Sequence, residues 1–322
     1  MADEEISERT LRDIGEFALI ERLVADTPER DSIEVGPGDD AAVVGCSDGR
    51  MVVCVDVLVE GRHFRRDWST AIDIGRRAAA ASLSDINAMG AVSTSLLVGL
   101  AAPGDLPGAW LMEAAAGLKE EAANAGAVLI GGDTTEGDSI VLSVTALGSL
   151  EGRAPVVRGG AHAGDRVVVS GRLGWAAAGL AVLGRGFRSP KVLVDALRFP
   201  VIDYTSGPRA AAAGATAMID VSDGLLADLG HIAEASGVRI DVRAGSLEVP
   251  EPLQAAAAAY NVDPRIWMLS GGDDHALVAC LPPDVAVPEG FVEIGSVESG
   301  SGNVTVDGSE PEGSSGFVHF ST

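Results

Sequence analysis

The stretch from Ala217 to Leu229, AMIDVSDGLLADL, decides how this chain is organised. Its apolar beginning predicts a strand that ends in an acidic turn, and the apolar spacing over 225–236 predicts a helix directly after that turn. Ser222 or Asp223 could cap the helix, and a helix N-terminus can also bind an anion. The helix needs only one capping residue, so capping does not explain the presence of Asp220. Asp220 is therefore a candidate metal ligand at the end of the strand.

Five further segments place aspartate where a predicted strand or helix ends. Like charges that are held close together repel and raise one another's pKa. Divalent cations remove this repulsion, and hard carboxylate oxygens suit Mg²⁺. The pattern therefore predicts a magnesium-dependent enzyme that acts on a phosphorylated substrate. The acidic residues of these segments are Asp39, Asp40, Asp56, Asp85, Asp133, Asp273 and Asp274.

Most of these segments also have an ordinary structural interpretation. Asp39 follows Gly-Pro-Gly, which is typical of a tight turn. Asp85 lies within a helix predicted over 72–89, where a solvated side chain is the default. Asp133 follows two glycines, which either let the backbone approach a phosphate or form a hairpin loop. Asp56 is different, because aspartate is disfavoured in a valine-rich strand and a buried carboxylate must be paired or metal-bound.

Three other residues are candidates with weaker signals. His63 is one of five scattered histidines, and a lone histidine is usually structural. Arg158 is either a surface linker residue or a phosphate clamp. Phe317, near the C-terminus, would by default pack against its neighbours.

Composition excludes several classes of function. Asp and Glu outnumber Lys and Arg by 47 to 23, and the net charge of −24 argues against a nucleic-acid partner and against anionic membrane surfaces. The cysteines, Cys46, Cys54 and Cys280, form no paired motif, which is typical of a reducing compartment. The segment from Met1 to Glu8 is acidic rather than leader-like, and we therefore expect a cytoplasmic protein.

Two α/β halves follow one another along the chain, which suggests a cleft between two layers. A shift to Gly, Arg and Pro around 148–165 places the boundary there, with an N-terminal domain over 1–150 and a C-terminal domain over 151–322. Strands and helices alternate in both halves. The elements predicted for the first half are helices over 4–24, 72–89 and 109–125, and strands over 41–44, 51–59, 127–130 and 139–147.

The strand over 51–59 has two chemically different faces. Val53, Val55 and Val57 share one face, whereas Cys54 and Asp56 share the other. Familiar nucleotide motifs are absent from the sequence: it has no Gly-x-x-x-x-Gly-Lys-Ser/Thr loop, no protein-kinase catalytic loop, and no strand that leads into Gly-x-Gly-x-x-Gly. Any nucleotide must therefore be bound in another way.

Taken together, and in this order, the acidic segments resemble the thiamine-monophosphate kinase family of the aminoimidazole-ribonucleotide synthetase superfamily. The resemblance extends from about Ile14 to Phe320. It implies an α/β (α+β) two-domain fold, with an N-terminal sheet that forms a barrel in a homodimer and binds ATP and Mg²⁺, and a C-terminal α/β sandwich. The segments that carry it are GDDA at 38–41, DVLVEGRHF at 56–64, LSDINAMGA at 83–91, GGDT at 131–134, DVSDGLLADL at 220–229 and GGDD at 271–274.

The resemblance also implies an activity and a set of site residues. The activity is ATP-dependent phosphorylation of thiamine monophosphate to thiamine diphosphate, with ATP as co-substrate, several Mg²⁺ ions and no general base. The implied magnesium ligands are Asp39, Asp56, Asp85, Asp133, Asp220 and Asp223. The implied ATP-binding residues are Gly132, Asp133, Arg158 and Ser222, and the implied residues of the thiamine side are His63, Asp273 and Phe317.

The chain departs from the family pattern at two places. Cys54 and Val55 stand where Ser or Thr is usual, and His275 ends a turn that usually reads Gly-Gly-Glu-Asp-Tyr. The alternatives are a paralogous small-molecule kinase with another acceptor and a catalytically silent nucleotide-binding dimer. Selenophosphate synthetase and hydrogenase-maturation proteins fit less well, because the chain lacks the cysteines that those proteins would need.

Overall fold

The computed structural model describes residues 9–25, 27–28, 30–36, 41–311 and 315–317. These residues belong to two compact units. The N-terminal unit lies within residues 1–86 and 92–152, and the C-terminal unit lies within residues 87–91 and 153–322.

Helices and strands alternate along the described part of the N-terminal half. Its helices are α1 (Leu11–Ile14), α2 (Glu16–Val24), α3 (Ala71–Ala88) and α4 (Gly108–Asn124). Its strands are β1 (Ile33–Val35), β2 (Val43–Val44), β3 (Val52–Val59), β4 (Val92–Ala102), β5 (Val128–Glu136) and β6 (Val141–Ser149).

The C-terminal half has the same mixed character. Its described helices are α5 (Trp175–Gly184), α6 (Lys191–Arg198), α7 (Ser206–Ala213), α8 (Leu225–Ser236), α9 (Glu251–Tyr260) and α10 (Pro264–Ser270). Its strands are β7 (Arg166–Ser170), β8 (Ala217–Asp220), β9 (Val238–Val242), β10 (Leu277–Leu281), β11 (Phe291–Ser299) and β12 (Asn303–Val306).

A four-stranded sheet in the order β3-β6-β4-β5 forms the centre of the N-terminal unit. The β4–β5 pair is parallel, and the other two pairs are antiparallel. Buried side chains of α3, among them Ile74 and Leu83, and of α4, among them Leu111 and Leu118, build the core of this unit. Burial of these aliphatic groups stabilises the layer of helices against the sheet.

The edge strand β3 has the two faces that the sequence predicts. Val53, Val55 and Val57 are 57%, 59% and 47% exposed, whereas Leu58, which belongs to the opposite face, is buried. The valines therefore form an apolar row on one face of the sheet. A row of exposed valines is unusual for a protein surface and is typical of a contact surface.

The C-terminal unit has a six-stranded sheet in the order β12-β9-β11-β7-β10-β8. The β9–β12 pair is parallel and the other pairs are antiparallel. Fully buried residues of its strands and of α8, including Val168, Ile219, Leu225 and Ile240, form the core. This mixed helix and strand content in two units agrees with the predicted fold class.

Several element predictions were wrong or incomplete. The strand predicted over 127–130 continues as β5 to Glu136, through the Gly131-Gly132-Asp133 segment, because β4 provides a parallel partner along that length. The segment 299–315 is rich in Gly, Ser and Glu, which predicts a loop or a hairpin; it contains β12, which pairs with β9. The helix predicted over 4–24 consists, in its described part, of α1 and α2, which Gly15 separates. The elements that the sequence did not predict are β1, β4, α6, α7, α9 and α10.

Candidate functional site

The predicted site residues fall into separate groups in the two units. In the N-terminal unit, Cys54, Asp56 and Asp85 form a group that we call the N-terminal acidic cluster. One ligand atom from each of the three residues lies within 4.8 Å of the others, and all three side chains are half-buried. Cys54 and Asp56 alternate with the exposed valines of β3, so they project from the face on which α3 packs.

Ser82 of α3 organises this cluster. Its hydroxyl oxygen lies 2.9 Å from Asp56 Oδ2 and 2.9 Å from the carbonyl oxygen of Val144. The Cys54 thiol donates a hydrogen bond to the Ser82 carbonyl at 3.1 Å. Ser82 is fully buried, and the helix places it one turn before Asp85, on the same side of α3. The sequence reading missed Ser82, because a serine in an alanine-rich helix carries no signal of its own.

Cys54 is a neutral thiol in this setting. Burial is the main reason, and the charges of Asp85 and Asp56 add to it; together they raise the pKa of the Cys54 thiol well above its usual value. The prediction that aspartate in this strand must be paired agrees with the structure, since Asp56 accepts the Ser82 hydrogen bond. The N-terminal acidic cluster thus contains two carboxylates and a thiol rather than oxygen ligands alone.

Asp133 does not belong to this cluster. It is exposed on β5, and its carboxylate accepts a hydrogen bond from the backbone of Thr134 at 2.9 Å. Across the sheet it is in register with Gly99, Ser143 and Val57. Paired residues of neighbouring strands share a face, so Asp133 projects from the same face as the exposed valines and opposite to Asp56.

Gly132 is required by packing within the sheet. A Cβ atom at this position would lie 2.0 Å from the carbonyl oxygen of Val98, so no other residue fits there without moving the backbone of β4. The hairpin-loop alternative for this segment is excluded, because the segment is part of a strand. Close approach to a phosphate is not needed to explain the glycine.

An aliphatic cavity of about 60 Å³ lies beside this segment, within the N-terminal unit. Helices α2 and α4 form one wall and strands β4 and β5 form the other. Its lining includes Ile20, Leu23, Val98, Leu100, Leu111, Leu118 and the segment Gly131–Thr134. A cavity of this size can accept only a small apolar group next to the polar backbone of Gly132 and Asp133.

His63 lies in the turn that follows β3. Its Nδ1 atom accepts a hydrogen bond from the backbone N–H of Val59 at 3.0 Å. Because Nδ1 is an acceptor, the ring proton of the neutral imidazole is on Nε2. His63 thus has the structural role expected of a lone histidine.

In the C-terminal unit, the loop from Asp220 to Asp223 connects β8 to α8. Asp220 is buried at the end of β8. The N-cap position of α8 is Gly224, and the Asp228 carboxylate accepts hydrogen bonds from the backbone N–H groups of Asp223 and Gly224 at 3.1 and 3.0 Å. The alternative that Ser222 or Asp223 caps the helix is therefore wrong, since Asp228 reaches back from the first turn.

Negative charge is concentrated around this loop. Burial, and then the nearby carboxylates of Asp220 and Asp223, raise the pKa of Asp228 to about 7, although the backbone N–H groups of Gly224 and Asp223 favour its ionised form. Asp223, Asp228 and His231 also bring ligand atoms within 4.8 Å of one another. The sequence reading gave neither Asp228 nor His231 a role.

The acidic turn Gly271–His275 is hydrogen-bonded to this loop. The N–H of Asp273 donates to the Ser222 carbonyl at 2.9 Å, and the N–H of His275 donates to the Val221 carbonyl at 3.0 Å. A Cβ atom on Gly272 would lie 2.2 Å from the Ser222 carbonyl oxygen, so only glycine permits the close approach. Asp273, Ser222 and Asp220 are therefore neighbours.

Asp274 attaches the same turn to the start of α5. Its buried carboxylate accepts hydrogen bonds from the backbone N–H groups of Gly174, Trp175 and Ala176. Burial raises the pKa of Asp274 to about 7, and the N–H groups of Ala176 and Gly174 oppose that shift. Asp274 is a structural residue, whereas Asp273 beside it is only partly buried and lies next to Ser222.

Phe317 and Arg158 lie at opposite ends of α8. The N–H of Phe317 donates to the Asp223 carbonyl at 3.0 Å, and the Phe317 side chain is 62% exposed. Phe317 is therefore not a core residue, and much of it is accessible to solvent. The Arg158 carbonyl accepts a hydrogen bond from Ser236, the last residue of α8, so its backbone lies about 18 Å along the helix from Asp223.

Within the described residues, the carboxylates of each unit fit hard divalent cations. Asp56 and Asp85 converge in the N-terminal acidic cluster, and the charges of Asp220 and Asp223 both act on the buried Asp228. Oxygen ligands gathered in this way are the donor set that Mg²⁺ prefers. Asp39 and Asp40 lie outside the described residues.

Comparison with known proteins places the chain in a family. Residues 38–150 match the model of the AIR synthase related protein N-terminal domain, and residues 162–307 match that of the C-terminal domain. A thiamine-monophosphate kinase of Mycobacterium tuberculosis (strain ATCC 25618 / H37Rv) is 50% identical over 312 residues, which cover 97% of this chain and 93% of the relative. The thiamine-monophosphate kinase of Corynebacterium glutamicum is 41% identical over 97% of this chain and 95% of its own length.

Solved structures agree with this result. The thiamine-monophosphate kinase of Stenotrophomonas maltophilia K279a superposes with a TM-score of 0.82 at 37% identity, covering 92% of this chain and 98% of that one. AaThiL complexed with AMPPCP and TMP superposes with a TM-score of 0.78 at 29% identity, covering 97% and 99%. The chain is thus an AIR synthase related protein in both of its units.

Within that class, the chain belongs to the thiamine-monophosphate kinase family. Its similarity to the curated relatives extends over nearly its whole length, which confirms the family resemblance of the acidic segments. No helix in the described part of the chain combines the length and the apolar character that crossing a membrane requires.

Proposed function

We propose that this chain transfers the γ-phosphoryl group of ATP to the phosphate of thiamine monophosphate, which gives thiamine diphosphate and ADP. The observation that carries the proposal is 50% identity to a thiamine-monophosphate kinase over 97% of the chain. The complex of a related structure with AMPPCP and TMP supports both substrates. Retention of the acidic loops in both units argues against a silent binding protein.

The acceptor explains why no general base is needed. A phosphate monoester has a second pKa of roughly 6, so it is largely a dianion at neutral pH. One of its oxygens attacks the γ-phosphorus directly, the bond from that phosphorus to the β-bridging oxygen breaks, and ADP leaves with the electron pair. No phosphorylated enzyme forms, and the aspartates act as ligands rather than bases.

Charge repulsion is the main obstacle to this reaction. Two unit charges about 4 Å apart repel by about 4 kcal/mol at an effective dielectric constant of about 20, and the two substrates carry several such charges. Bound Mg²⁺ would neutralise the phosphates and favour the in-line arrangement. The residues that we propose as Mg²⁺ ligands are Asp39, Asp56, Asp85, Asp133, Asp220 and Asp223. Asp133 projects from the face of the sheet opposite to Asp56, so these two residues would bind different ions.

The protein's own contacts hold several of these ligands in place. Ser82 orients the Asp56 carboxylate by its hydrogen bond, and β8 fixes Asp220 at a buried strand end. Cys54 stands next to Asp56 and Asp85 and offers only a neutral thiol, so water or a backbone carbonyl would have to supply a further oxygen ligand to a cation held there. This arrangement lowers the number of oxygen ligands that the N-terminal acidic cluster supplies.

We assign the two substrates to different residues. Gly132, Asp133, Arg158 and Ser222 bind ATP. His63, Asp273 and Phe317 bind the thiamine side. The exposed Phe317 ring can stack on an aromatic substrate, and Asp273 can accept hydrogen bonds from it.

We further propose that the chain is a homodimer in the cytoplasm, formed through the valine row of β3. Charge at the centre of that row should separate the subunits, so Val55→Lys is expected to sediment as a monomer. Val292→Lys is a matched control, because Val292 is 58% exposed in the other unit. A dimeric Val55→Lys protein would contradict the interface. Free cysteines suit the reducing cytoplasm.

The test of the activity is a turnover assay with the purified chain, ATP, Mg²⁺ and a panel of phosphate monoesters. We expect thiamine diphosphate to be formed faster than any other product. A faster reaction with another monoester would instead favour a paralogous kinase. Binding of ATP without any transfer would favour the silent dimer.

A further inference from the structure

Asp220 has a buried partner that the proposed reaction does not use. His275 Nδ1 lies 3.0 Å from Asp220 Oδ2, and both side chains are buried. An ionised carboxylate has no proton to give, so the hydrogen of this contact is carried by His275. The imidazole therefore contacts one of the two carboxylate oxygens of Asp220.

The backbone holds these two residues next to each other. Leu277 of β10 pairs with Asp220 of β8, and the pairing continues beyond the strands. The N–H of Val221 donates to the Ala276 carbonyl at 2.7 Å, and the N–H of His275 donates to the Val221 carbonyl at 3.0 Å. A shift of one loop must therefore move the other.

His275 also has an unusual backbone conformation. Its φ is +51° and that of Asp273 is +65°, which is the left-handed region that side-chain-bearing residues rarely adopt. The turn keeps this conformation because Asp274, between them, is bonded to three N–H groups at the start of α5. In this conformation the imidazole of His275 contacts Asp220.

We infer that His275 is a positioning residue for Asp220: it fixes the orientation of that carboxylate and links it to the turn that carries Asp273. This inference rests on the proposed function only in taking Asp220 as a cation ligand. Hydrogen bonds to the outer oxygen of a ligating carboxylate fix its orientation, and loss of such a bond typically weakens metal binding roughly 10- to 100-fold.

Two substitutions separate positioning from simple packing. His275→Phe keeps an aromatic ring and removes the N–H group. His275→Asn places an amide N–H near the position of Nδ1, and asparagine tolerates the left-handed conformation. If His275 positions Asp220, the affinity for Mn²⁺ should be lower in His275→Phe and close to that of the wild type in His275→Asn. If His275 only fills space, the affinity should be lower in His275→Asn, because asparagine leaves a larger void than phenylalanine.

The experiment measures Mn²⁺ binding by electron paramagnetic resonance, without nucleotide or acceptor, for the wild-type chain, both variants and Asp220→Asn. Thermal unfolding of each protein shows that it is folded. We expect the Mn²⁺ site that disappears in Asp220→Asn to weaken at least tenfold in His275→Phe and to stay within threefold of the wild type in His275→Asn.

Equal Mn²⁺ affinity of His275→Phe and the wild type would overturn the inference, as would a wild type whose Mn²⁺ binding does not depend on Asp220. If His275→Phe is unfolded, the test depends on His275→Asn. Mn²⁺ binding that is tenfold weaker in His275→Asn than in the wild type would then contradict the positioning role. The readout needs no phosphoryl transfer. A chain that binds Mn²⁺ as expected but makes no thiamine diphosphate would therefore refute the proposed activity and leave the role of His275 standing.

Discussion

The hydroxyl of Ser82 lies 2.9 Å from Oδ2 of Asp56, so a buried helix residue holds the one carboxylate that projects from the middle of strand β3 towards α3. Asp85, one helical turn after Ser82, completes the pair of carboxylates. A carboxylate that is oriented before a cation binds loses less freedom on binding, which favours a defined geometry. Asp56 is thus the residue of the N-terminal acidic cluster on which activity should depend most.

We predict that Asp56→Asn abolishes turnover and leaves the fold intact. The amide oxygen can still accept the Ser82 hydrogen bond, so stability is preserved, but the negative charge is lost. The rate of thiamine diphosphate formation should fall at least 100-fold, and the thermal midpoint should change little. Asp138→Asn, at an exposed position of the same unit, is the control. Near-normal activity of Asp56→Asn at saturating Mg²⁺ would show that Asp56 is not a ligand.

The Cys54 thiol beside Asp56 should raise the Mg²⁺ concentration that the enzyme needs for half-maximal activity, compared with an oxygen ligand at the same position. Cys54→Ser replaces a soft, neutral group by a hard hydroxyl oxygen, and the hydroxyl can still donate to the Ser82 carbonyl. We expect half-maximal activity at a severalfold lower Mg²⁺ concentration. The exposed Cys46→Ser variant should behave like the wild type. An unchanged or higher requirement in Cys54→Ser would show that this side chain does not face the cation.

Phe317 should contribute to binding of the acceptor and little to stability. Its ring is 62% exposed, so its removal leaves no cavity, and aromatic pairs contribute about 0.5–1.5 kcal/mol, or roughly 2- to 13-fold in affinity. Phe317→Ala should raise the KM for thiamine monophosphate within that range and leave the KM for ATP within twofold. Phe187→Ala, at a ring 58% exposed, is the matched control. A KM for the acceptor that does not change would remove this role.

Asp228 should make the metal-free protein less stable at neutral than at acidic pH. Its pKa is raised from 3.8 to about 7 in the folded chain, so the folded state keeps a proton that the unfolded state has already released. The free energy of unfolding therefore falls as the pH rises from about 4 to 7. A shift of about three pKa units corresponds to at most roughly 4 kcal/mol.

Asp228→Asn removes this proton equilibrium but keeps an oxygen acceptor for the N–H groups of Asp223 and Gly224. With a chelator present, urea unfolding should show the variant gaining stability relative to the wild type as the pH rises from about 4 to 8. Asp284→Asn, at an exposed position, should show no such gain. Parallel pH profiles for Asp228→Asn and the wild type would contradict the assignment.

Local patterns in the sequence were sufficient for part of this structure. The alternation along β3 predicts which side chains face α3, because a strand has a strict period of two. The helix predicted over 225–236 agrees with α8, since its apolar spacing and the following glycine are both local signals. The acidic segments themselves were found because aspartate next to glycine is visible without a fold.

Partners from distant parts of the chain determined the rest. Gly131 and Gly132 indicate a loop by composition, yet β4 pairs with them and makes them part of a strand. Register across that sheet then places Asp133 on the face opposite to Asp56, which no local pattern could show. The contact of Ser82 with Asp56 and that of His275 with Asp220 likewise join residues 26 and 55 positions apart.

The most direct measurement is the transfer of labelled phosphate from γ-labelled ATP to unlabelled thiamine monophosphate by the purified chain with Mg²⁺. We predict labelled thiamine diphosphate that forms in step with ADP, no label on the protein at any time, and no product from Asp56→Asn. A folded wild-type chain that binds the ATP analogue AMPPCP yet forms no labelled thiamine diphosphate would contradict the central claim.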